Sequence, residues 1–421
     1  MPARPILVDT TRLLTRLKHP APTGIDRVDL AYARRFLAGS YDGGAVAVTR
    51  FGARLAPARH STALLRAIDQ RWRAGGDAET DPTYARLRRW LSGPPAPFER
   101  GGAARGGARV LPDLSAERSL LGAFGWPRAE AAPRDAVYLH TSHLRLDRPQ
   151  AFDWLYGRPD IRPVFFVHDL IPIEFPEYGV PGEAERHRRR MATVARHAAA
   201  VVVNSQDVAD RLAAHLARGG LRVPPIAPAW LGVAPAFAPA AEPPAGERPY
   251  FVVLSTIEAR KNHLLLLQVW RDLARQEGGR TPALVIVGRR GWESESAVDL
   301  LDRCEGIAPH VAEASGLSDA GLAGLLAGAR ALLTPSFAEG YGIPIVEALS
   351  LGTAVVASDI PAHREIAGGR AMLLDPLDGL GWRRAVLDLV RQPRPAHGRG
   401  PYRPPSWEEH FAIVNAVIDR L

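Results

Sequence analysis

The sequence predicts an α/β protein built from two doubly wound, mainly parallel sheets that face each other. Short apolar runs alternate with helical stretches along nearly the whole chain, which is the pattern of βαβ units. A proline-rich stretch interrupts this alternation near the middle, and 421 residues are enough for two or three domains with separate cores. Two facing Rossmann-like domains would bind a ligand in the cleft between them, at the carboxyl ends of the strands.

Ten strands are predicted, five in each half of the chain, with helices between them. Each is a short, mostly apolar run that is bounded by polar or turn-forming residues. The front strands are residues 6–9, 45–49, 137–141, 164–167 and 199–203, and the back strands are residues 250–255, 283–287, 331–334, 354–357 and 371–374.

The proline-rich stretch at 234–244 can continue neither a strand nor a helix, so we take it as the interdomain linker. The predicted divisions are an N-terminal domain at 1–235, a linker at 236–246 and a C-terminal domain at 247–402. A closing helix is predicted within 403–421, because Ser406 is a suitable N-cap residue.

A segment at about 60–133 does not fit the alternation. Its glycine-rich part, 101–107, predicts a mobile loop. It also contains two basic amphipathic stretches, which predict helices that either cover a sheet or lie in a membrane interface. The first has Leu64, Leu65, Ile68 and Trp72 beside Arg66, Arg71 and Arg73; the second has Tyr84, Leu87, Trp90 and Leu91 beside Arg86, Arg88 and Arg89.

The composition, 46% hydrophobic and 23% charged, is that of an ordinary globular protein. No apolar run approaches the roughly 18 residues of a membrane span, and the N-terminus is too polar for a signal peptide. We therefore expect a cytoplasmic location. A single cysteine, Cys304, excludes an internal disulfide and a thiolate metal cluster.

Positive charge is concentrated in the front of the chain. Residues 1–240 hold 34 Lys and Arg against 23 Asp and Glu, whereas residues 241–421 hold 19 against 22. This favours an anionic partner for the front half, either a lipid surface, a pyrophosphate-linked substrate or nucleic acid. Alternatively, the excess of basic residues only reflects an arginine-rich composition and has no functional meaning. Only Lys18 and Lys261 are lysines, which suggests that a compact ammonium matters where they occur.

Two glutamates with the spacing Glu339-x7-Glu347 form the most informative motif. A buried strand precedes them, and Pro344 and Gly352 mark the ends of a short helix at 344–351. Glycines in the strand-to-helix turn let a ligand approach the backbone, and the helix N-terminus attracts an anion such as phosphate. Carboxylates beside a phosphate would accept hydrogen bonds from hydroxyls. The pattern therefore indicates a nucleotide sugar, although a loop cap and a solvated helix residue would give the same spacing.

Several segments in this order resemble the retaining glycosyltransferases of family GT4, which have the GT-B fold of two facing Rossmann-like domains. The resemblance covers most of the back half and parts of the front half, where it is closest to a bacterial branch that builds surface polysaccharides. The matching segments are residues 255–263 (STIEARKNH), 285–292 (VIVGRRGW), 336–347 (SFAEGYGIPIVE), 357–361 (ASDIP), 168–172 (HDLIP) and 23–28 (TGIDRV).

The resemblance implies roles for individual residues. Arg260 and Lys261 would bind the diphosphate of the donor, and Glu347 would accept hydrogen bonds from the ribose. Glu339 would contact hydroxyls of the transferred sugar, and His168 would reach the reacting sugar from the front domain. The donor diphosphate or the sugar would also approach the backbone at Gly24, Gly340, Tyr341, Gly342 and Ile343.

The resemblance also implies the chemistry and the partners. The sugar would be transferred with retention, the departing phosphate would take the acceptor proton, and neither a metal nor another cofactor would be needed. No Asp-x-Asp pair occurs in the chain. GDP-mannose is the first expectation for the donor, with UDP-hexoses and dTDP-rhamnose next. The acceptor would be a polyprenyl-pyrophosphate-linked saccharide, with peripheral contact at the inner face of the cytoplasmic membrane and no nucleic-acid partner.

Other functions compete with this interpretation. A nicotinamide-dependent oxidoreductase is disfavoured because no Gly-x-Gly-x-x-Gly follows residues 250–255. A pyridoxal phosphorylase would need Lys261 for its cofactor. A sugar-nucleotide 2-epimerase would share both fold and donor, and an inactive homologue could bind polysaccharide or scaffold an assembly. These last two alternatives stay open.

Overall fold

The computed structural model describes residues 4–17, 19, 22–38, 43–50, 52–73, 78–99, 122–237, 248–392 and 402–421. The loop predicted at 101–107, Lys18 and the linker residues 238–246 lie outside this part of the chain.

The front sheet has seven strands in the order β3-β2-β1-β4-β5-β6-β7. The strand pairs are parallel except β2–β3, which is an antiparallel hairpin. The strands are β1 Ile6–Asp9, β2 Gly43–Thr49, β3 Gly52–Ala56, β4 Val137–His140, β5 Arg162–Val167, β6 Ala200–Val203 and β7 Ile226–Pro228.

The back sheet has six parallel strands in the order β10-β9-β8-β11-β12-β13. They are β8 Tyr250–Leu254, β9 Ala283–Val287, β10 Val311–Ala314, β11 Ala331–Thr334, β12 Val355–Ser358 and β13 Met372–Leu374. From β8 the strands follow in chain order towards one edge of the sheet, and from β11 they follow in chain order towards the other edge. The carboxyl ends of β8 and β11 therefore border a crevice of the kind in which α/β proteins bind ligands.

All ten predicted strands are confirmed, with ends that shift by at most two residues. Three strands were not predicted. β3 carries Arg54 within its five residues, β7 has three residues and ends in a proline, and β10 carries Glu313. Each is too short or too polar to show an apolar run, and neighbouring strands supply the hydrogen bonds that form it.

Helices cover the sheets on both sides. In the front half they are α1 Thr11–Arg16, α2 Gly24–Leu37, α3 Ala58–Arg73, α4 Pro82–Ser92, α5 Ile171–Glu174, α6 Glu183–His197 and α7 Gln206–Arg218. In the back half they are α8 His263–Glu277, α9 Glu295–Arg303, α10 Asp319–Gly328, α11 Ile343–Ser350, α12 Pro361–Ala367, α13 Gly379–Arg391 and α14 Trp407–Asp419. Among the described helices none is both long and apolar enough to cross a bilayer.

The two basic helices α3 and α4 bury their apolar faces inside the protein. Leu64, Leu65 and Ile68 of α3 are buried, as are Leu87 and Leu91 of α4. The interpretation that these faces lie in a membrane is therefore wrong, and the alternative that they cover a folded core is correct. The aliphatic and aromatic side chains face inward because the protein offers them a packed partner.

Helix α4 packs against helix α10 of the back domain. The hydroxyl of Tyr84 would lie 2.7 Å from a Cβ added at Gly324 of α10, so the small residue makes room for the ring. The guanidinium of Arg248 stands 4.0 Å from the ring centre of Trp90. A segment of the predicted front domain thus belongs to the interdomain contact.

Helix α14 begins as predicted, with the Ser406 hydroxyl accepting from the Glu409 N–H in a capping box. It then packs against the front domain. The Phe411 ring lies 5.2 Å from Tyr32 and 5.7 Å from Phe36, centre to centre, and His410 Nε2 is 2.9 Å from the Tyr32 hydroxyl. The end of the chain therefore joins the two domains a second time.

Truncating Phe411 tests this second junction. Phe411→Ala removes a buried ring and should destabilise the protein by about 3 kcal/mol or more, the usual cost of such a cavity. Urea-induced unfolding measures the effect. Ile413→Ala on the same helix is the matched control, because Ile413 is 39% exposed. Equal effects of the two variants would contradict the packing of α14 on the front domain.

Candidate active site

The turn from β11 into α11 is built as its glycines and proline predict. Gly342 has φ 106°, a conformation that favours glycine, and α11 begins at Ile343 with Pro344 in its first turn. The helix ends at Ser350, and Gly352 follows with φ 73°. The predicted helix at 344–351 is thus correct to within one residue at each end. Its N-terminal N–H groups point to the crevice beside β8 and β11.

A second turn, between β8 and α8, carries the two predicted cations. Arg260 and Lys261 lie in the 3-10 turn Ala259–Lys261. The Asn262 side-chain amide donates to the Pro335 carbonyl at 3.2 Å, and the Phe337 N–H donates to the Arg260 carbonyl at 2.8 Å. These bonds hold the cationic turn against the glycine-rich turn of the neighbouring strand.

The Glu339 carboxylate binds both cations. Arg260 Nη1 is 3.0 Å from Glu339 Oε2, and the Lys261 ammonium donates to Oε1. The Ser336 hydroxyl also donates to Oε1, at 2.8 Å, and Glu258 pairs with Arg260 at 2.8 Å. These contacts use only some of the five N–H donors of a guanidinium and the three of an ammonium. The cluster therefore retains the capacity to donate to a phosphate.

Burial and charge act in opposite directions on this cluster. Burial would raise the pKa of Glu339, but the charges of Lys261 and Arg260 outweigh it and hold that pKa far below its usual range. Burial and the neighbouring Arg260 lower the pKa of Lys261, although Glu339 opposes them. A carboxylate between two cations is thus ionised at neutral pH.

The front domain meets this turn at His168. A Cβ at Gly340 would lie 2.4 Å from the His168 carbonyl oxygen and 2.9 Å from Asp169 Cβ, so only glycine allows this approach. The Ser205 hydroxyl also donates to the Gly340 carbonyl, at 3.0 Å. His168 follows β5 directly. The structure therefore brings His168, Gly340 and Glu339 to one place between the two sheets, as the sequence predicts.

The His168 ring has a defined protonation state. Its Nε2 lies 2.7 Å from the Thr141 carbonyl, which can only accept, so Nε2 carries the proton and Nδ1 is left as an acceptor. Burial lowers the pKa of His168 to about 4. The ring is therefore neutral near pH 7 and suited to accept a hydrogen bond from a hydroxyl, rather than to donate a proton.

Two residues near the site were not singled out from the sequence. His363 on α12 is buried, and the charges of Glu339 and Lys261 act on its pKa in opposite directions. Its Nδ1 is 3.0 Å from the Ser358 carbonyl. Arg12 on α1 forms an ion pair with Asp26 at 2.6 Å, and its positive charge contributes to lowering the pKa of His168. His363 follows the segment 357–361 by two residues, which is a signal that could have found it. Arg12 has no such signal.

Gly24 and Tyr341 take part in different ways. A Cβ at Gly24 would come 3.1 Å from Ile343 Cδ1, so the first helix turn of the front domain faces the first turn of α11. The Tyr341 side chain is buried and donates its hydroxyl to the Leu231 carbonyl at 3.1 Å. Tyr341 can therefore offer a ligand its backbone but not its ring.

Glu347 is separate from the Glu339 cluster. It lies one turn into α11, is 4% exposed, and faces Arg27 and Asp319. Burial raises the pKa of Glu347 to about 7, with Arg27 opposing and Asp319 adding to the shift. The two glutamates of the motif therefore occupy two electrostatically different places along one strand-turn-helix unit.

The two domains also meet at a cavity of about 890 Å³ lined by residues of α7, α12 and the start of α14. There Glu365 of α12 accepts hydrogen bonds from the Gln206 N–H at 2.8 Å and the Asp207 N–H at 3.0 Å, at the start of α7. The Trp230 indole N–H donates to the same carboxylate at 2.8 Å. A carboxylate at a helix N-terminus is favourably placed, so Glu365 helps to hold the domains together.

Across the described ranges, no group of three or more His, Cys, Asp or Glu side chains is placed to hold a metal ion.

Two facing Rossmann-like sheets, with a cationic turn and a helix N-terminus at the carboxyl ends of β8 and β11, are the features of the GT-B fold. Residues 237–379 match the sequence model of the family described as glycosyl transferases group 1. The part of the chain that carries Arg260, Lys261, Glu339 and Glu347 is thus similar to this family, and the fold of the whole chain is GT-B.

Sequence relatives and solved structures agree with this class. A serotype-specific mannosyltransferase WbdA of Escherichia coli is 30% identical over 218 residues, covering 48% of this chain and 26% of that one. O-antigen chain mannosyltransferase B of Escherichia coli is 34% identical over 166 residues, covering 38% of this chain and 42% of that one. The chain thus spans about a quarter of the length of the first relative and less than half of the second.

Among solved structures, Anabaena HepE in complex with UDP-glucose superimposes with a TM-score of 0.58 at 14% identity. The superposition covers 99% of this chain and 97% of that one. At this identity the likeness concerns the fold, and it extends over both domains.

Replacing Gly340 tests the close approach of the two domains. Gly340→Ala would place a methyl group 2.4 Å from the His168 carbonyl, so the turn or the front domain must move. We expect a stability loss of about 1–3 kcal/mol, as for other overpacked sites, and a larger radius of gyration in small-angle scattering. Gly306→Ala is the control, because its Cβ would meet nothing within 4 Å. A Gly340→Ala protein as stable and as compact as the control would contradict this contact.

Acidification should destabilise the protein. Burial is the main cause that lowers the pKa of nine histidines in the described ranges: His143, His168, His187, His197, His215, His263, His310, His363 and His410. Between about pH 6.5 and 4 the unfolded chain binds more protons at these residues than the folded one, so stability falls as the pH falls through this window. Asp29 and Glu347, each with a pKa of about 7, act in the opposite direction but are fewer.

Thermal melts from pH 7.5 to 5 measure this dependence, and we expect Tm to fall over that range. One unit of pKa corresponds to about 1.4 kcal/mol, so a single buried histidine has a measurable share. His410→Gln removes one such group, whose pKa burial lowers to about 4, and should make the fall less steep. A Tm that is constant or rises on acidification would contradict the assignment of neutral buried histidines.

Proposed function

We propose that the protein is a retaining glycosyltransferase that moves a hexose from a nucleotide sugar to a hydroxyl of a saccharide. The observation that carries the proposal is the pairing of the Arg260–Lys261 turn with the N-terminus of α11, opposite His168. Cations and free N–H groups at one point suit a diphosphate, and the hydroxyl acceptors Glu339, Glu347 and His168 around them suit a sugar and a ribose.

GDP-mannose is the proposed donor. Relatives named as serotype-specific and O-antigen mannosyltransferases support a mannosyl group. The proposed acceptor is a saccharide linked to polyprenyl pyrophosphate, in surface polysaccharide biosynthesis. Such an acceptor would bring the protein to the inner face of the cytoplasmic membrane, and the basic front half suits its pyrophosphate.

The proposed reaction breaks the bond between the anomeric carbon and the β-phosphate oxygen. Negative charge grows on the departing diphosphate, where Arg260, Lys261 and the N–H groups of α11 stabilise it. The acceptor hydroxyl oxygen forms the new bond on the same face of the sugar, and its proton passes to the departing phosphate oxygen. Positive charge at the leaving group comes from the protein itself, so no metal ion is needed in this scheme.

The remaining site residues would orient the sugar and the nucleotide. Neutral His168 would accept a hydrogen bond from a sugar hydroxyl at Nδ1, since Nε2–H is bound to the Thr141 carbonyl. Glu339 would keep the two cations in place and share its oxygens with sugar hydroxyls. The backbone at Gly24, Gly340, Tyr341, Gly342 and Ile343 would line the diphosphate, and Glu347 would accept from the ribose.

Turnover of GDP-mannose tests the proposal. The purified protein should transfer mannose to a mannosyl acceptor and slowly hydrolyse the donor without one. An Arg260→Ala, Lys261→Ala double variant should lose at least about a hundredfold in rate, because each charge-assisted hydrogen bond contributes about 1.5–3 kcal/mol. Arg280→Ala is the control, since that side chain is 84% exposed on the same domain.

The products decide between the alternatives. An α-linked product from the α-linked donor, seen by NMR, supports retention, and a β-linked product contradicts it. A chelator should leave the rate unchanged. An epimerised nucleotide sugar formed from donor alone would instead indicate a 2-epimerase. Absence of any nucleotide-sugar binding by calorimetry would overturn the enzymatic proposal in favour of a scaffold.

Thermal-shift measurements with GDP, UDP and dTDP identify the base. A ligand at about a hundredfold its dissociation constant stabilises a protein by about 2.7 kcal/mol. Selective stabilisation by GDP supports GDP-mannose, whereas a larger shift with UDP or dTDP replaces it with another sugar nucleotide.

A further inference from the structure

Arg27 of the front domain reaches the back domain beside the proposed ribose site. It lies on α2, and its Nη1 donates to Asp319 Oδ2 of α10 at 3.0 Å while Nη2 donates to Oδ1. The two residues are separated by 292 positions in the chain. This bidentate geometry is the strongest form of a carboxylate–guanidinium contact, and it joins the two domains.

Arg27 is close enough to Glu347 for their charges to interact, and the two helices that carry them start beside each other. A Cβ at Gly24, the first residue of α2, would be 3.1 Å from the side chain of Ile343, the first residue of α11. Arg27 is three residues further along α2, and Glu347 four residues further along α11. Each is therefore one turn into its helix. Asp319, in the first turn of α10, completes a group of one cation and two carboxylates.

Glu347 receives its electrostatic environment from these two partners. It is 4% exposed, and burial together with Asp319 raises its pKa, while Arg27 lowers it. No other residue of α11 is titratable, nor is any in strands β11 and β12 or the turn Pro235–Phe237 that pack against it. His363 of the adjacent α12 faces Glu339. Arg27 is thus the cation that opposes the effect of burial and favours the ionised form of Glu347.

We propose that Arg27 is a positioning residue of the donor site, which favours the ionised form of Glu347 that accepts from the ribose hydroxyls and makes ribose binding depend on contact between the two domains. This inference rests on the proposed function, in which Glu347 binds the ribose. An ionised carboxylate accepts on both oxygens, and charge-assisted hydrogen bonds are about twice as strong as neutral ones. A protonated Glu347 loses that advantage, so removal of Arg27 weakens binding without touching the ligand.

Two variants separate the effect on Glu347 from simple loss of the ion pair. Arg27→Gln and Asp319→Asn both break the same Arg27–Asp319 contact. Loss of the cation, however, raises the pKa of Glu347, whereas loss of the neighbouring anion lowers it. Arg34→Gln is the matched control, because Arg34 lies two turns further along α2 and pairs with Asp69 within the front domain.

Calorimetric binding of GDP and UDP between pH 6 and 9 is the measurement, and it requires no turnover. We expect Arg27→Gln to weaken binding about tenfold at pH 7, and most of the lost affinity should return at pH 9. Loss of the cation should raise the pKa of Glu347, so the pH midpoint of binding should move upward by about one pH unit. Asp319→Asn should move the midpoint to lower pH, and Arg34→Gln should resemble the wild type. Arg27→Lys should keep the wild-type midpoint, because the charge remains.

The outcomes distinguish this inference from the proposed function. A wild-type protein that binds neither GDP nor UDP contradicts the proposed function itself. Wild-type binding with Arg27→Gln and Asp319→Asn weakened equally at every pH overturns the role of Arg27 in the ionisation of Glu347. If Arg27→Gln does not fold, Arg27→Lys and Asp319→Asn still decide, since an unchanged midpoint in Asp319→Asn contradicts the inference.

Discussion

The Glu339 carboxylate, held between Arg260 and Lys261, is the contact on which the geometry of the site depends. It joins the turn after β8 to the turn after β11, two strands that are neighbours in the back sheet. Without it, two cations would lie side by side at a nearly buried place, and breaking a buried ion pair usually costs about 3–5 kcal/mol. The same contact holds both cations against the turn that leads into α11, whose N-terminus favours an anion.

The second constraint is the approach of the two domains at Gly340. The absence of a side chain there lets the turn reach the His168 carbonyl, and the surrounding contacts keep it in place. Glu365 at the start of α7 and helix α14 on the front domain hold the domains at other points. A reaction that needs groups from both sheets requires this precision, because catalytic contacts are sensitive to displacements of about 1 Å.

Much of the fold was predictable because it depends on local pattern. The ten apolar runs formed strands, and the proline and glycines around α11 set its ends to within one residue. Strands β3, β7 and β10 were missed because pairing with a neighbour, not their own composition, makes them strands. The faces of α3 and α4 were ambiguous for a related reason. An apolar stripe beside arginines looks the same whether it covers a membrane or a protein core.

The sequence alone determined the strand-turn-helix unit that carries Glu339 and Glu347, and the cationic turn at Arg260 and Lys261. Apolar periodicity, glycine and proline act over a few residues, so they can be read along the chain. Only the tertiary structure decided that Glu339 binds both cations, that His168 is neutral, and that Arg27 accompanies Glu347. These contacts join residues from 27 to more than 300 positions apart. Burial sets the charge of each group, and burial exists only once the chain has folded.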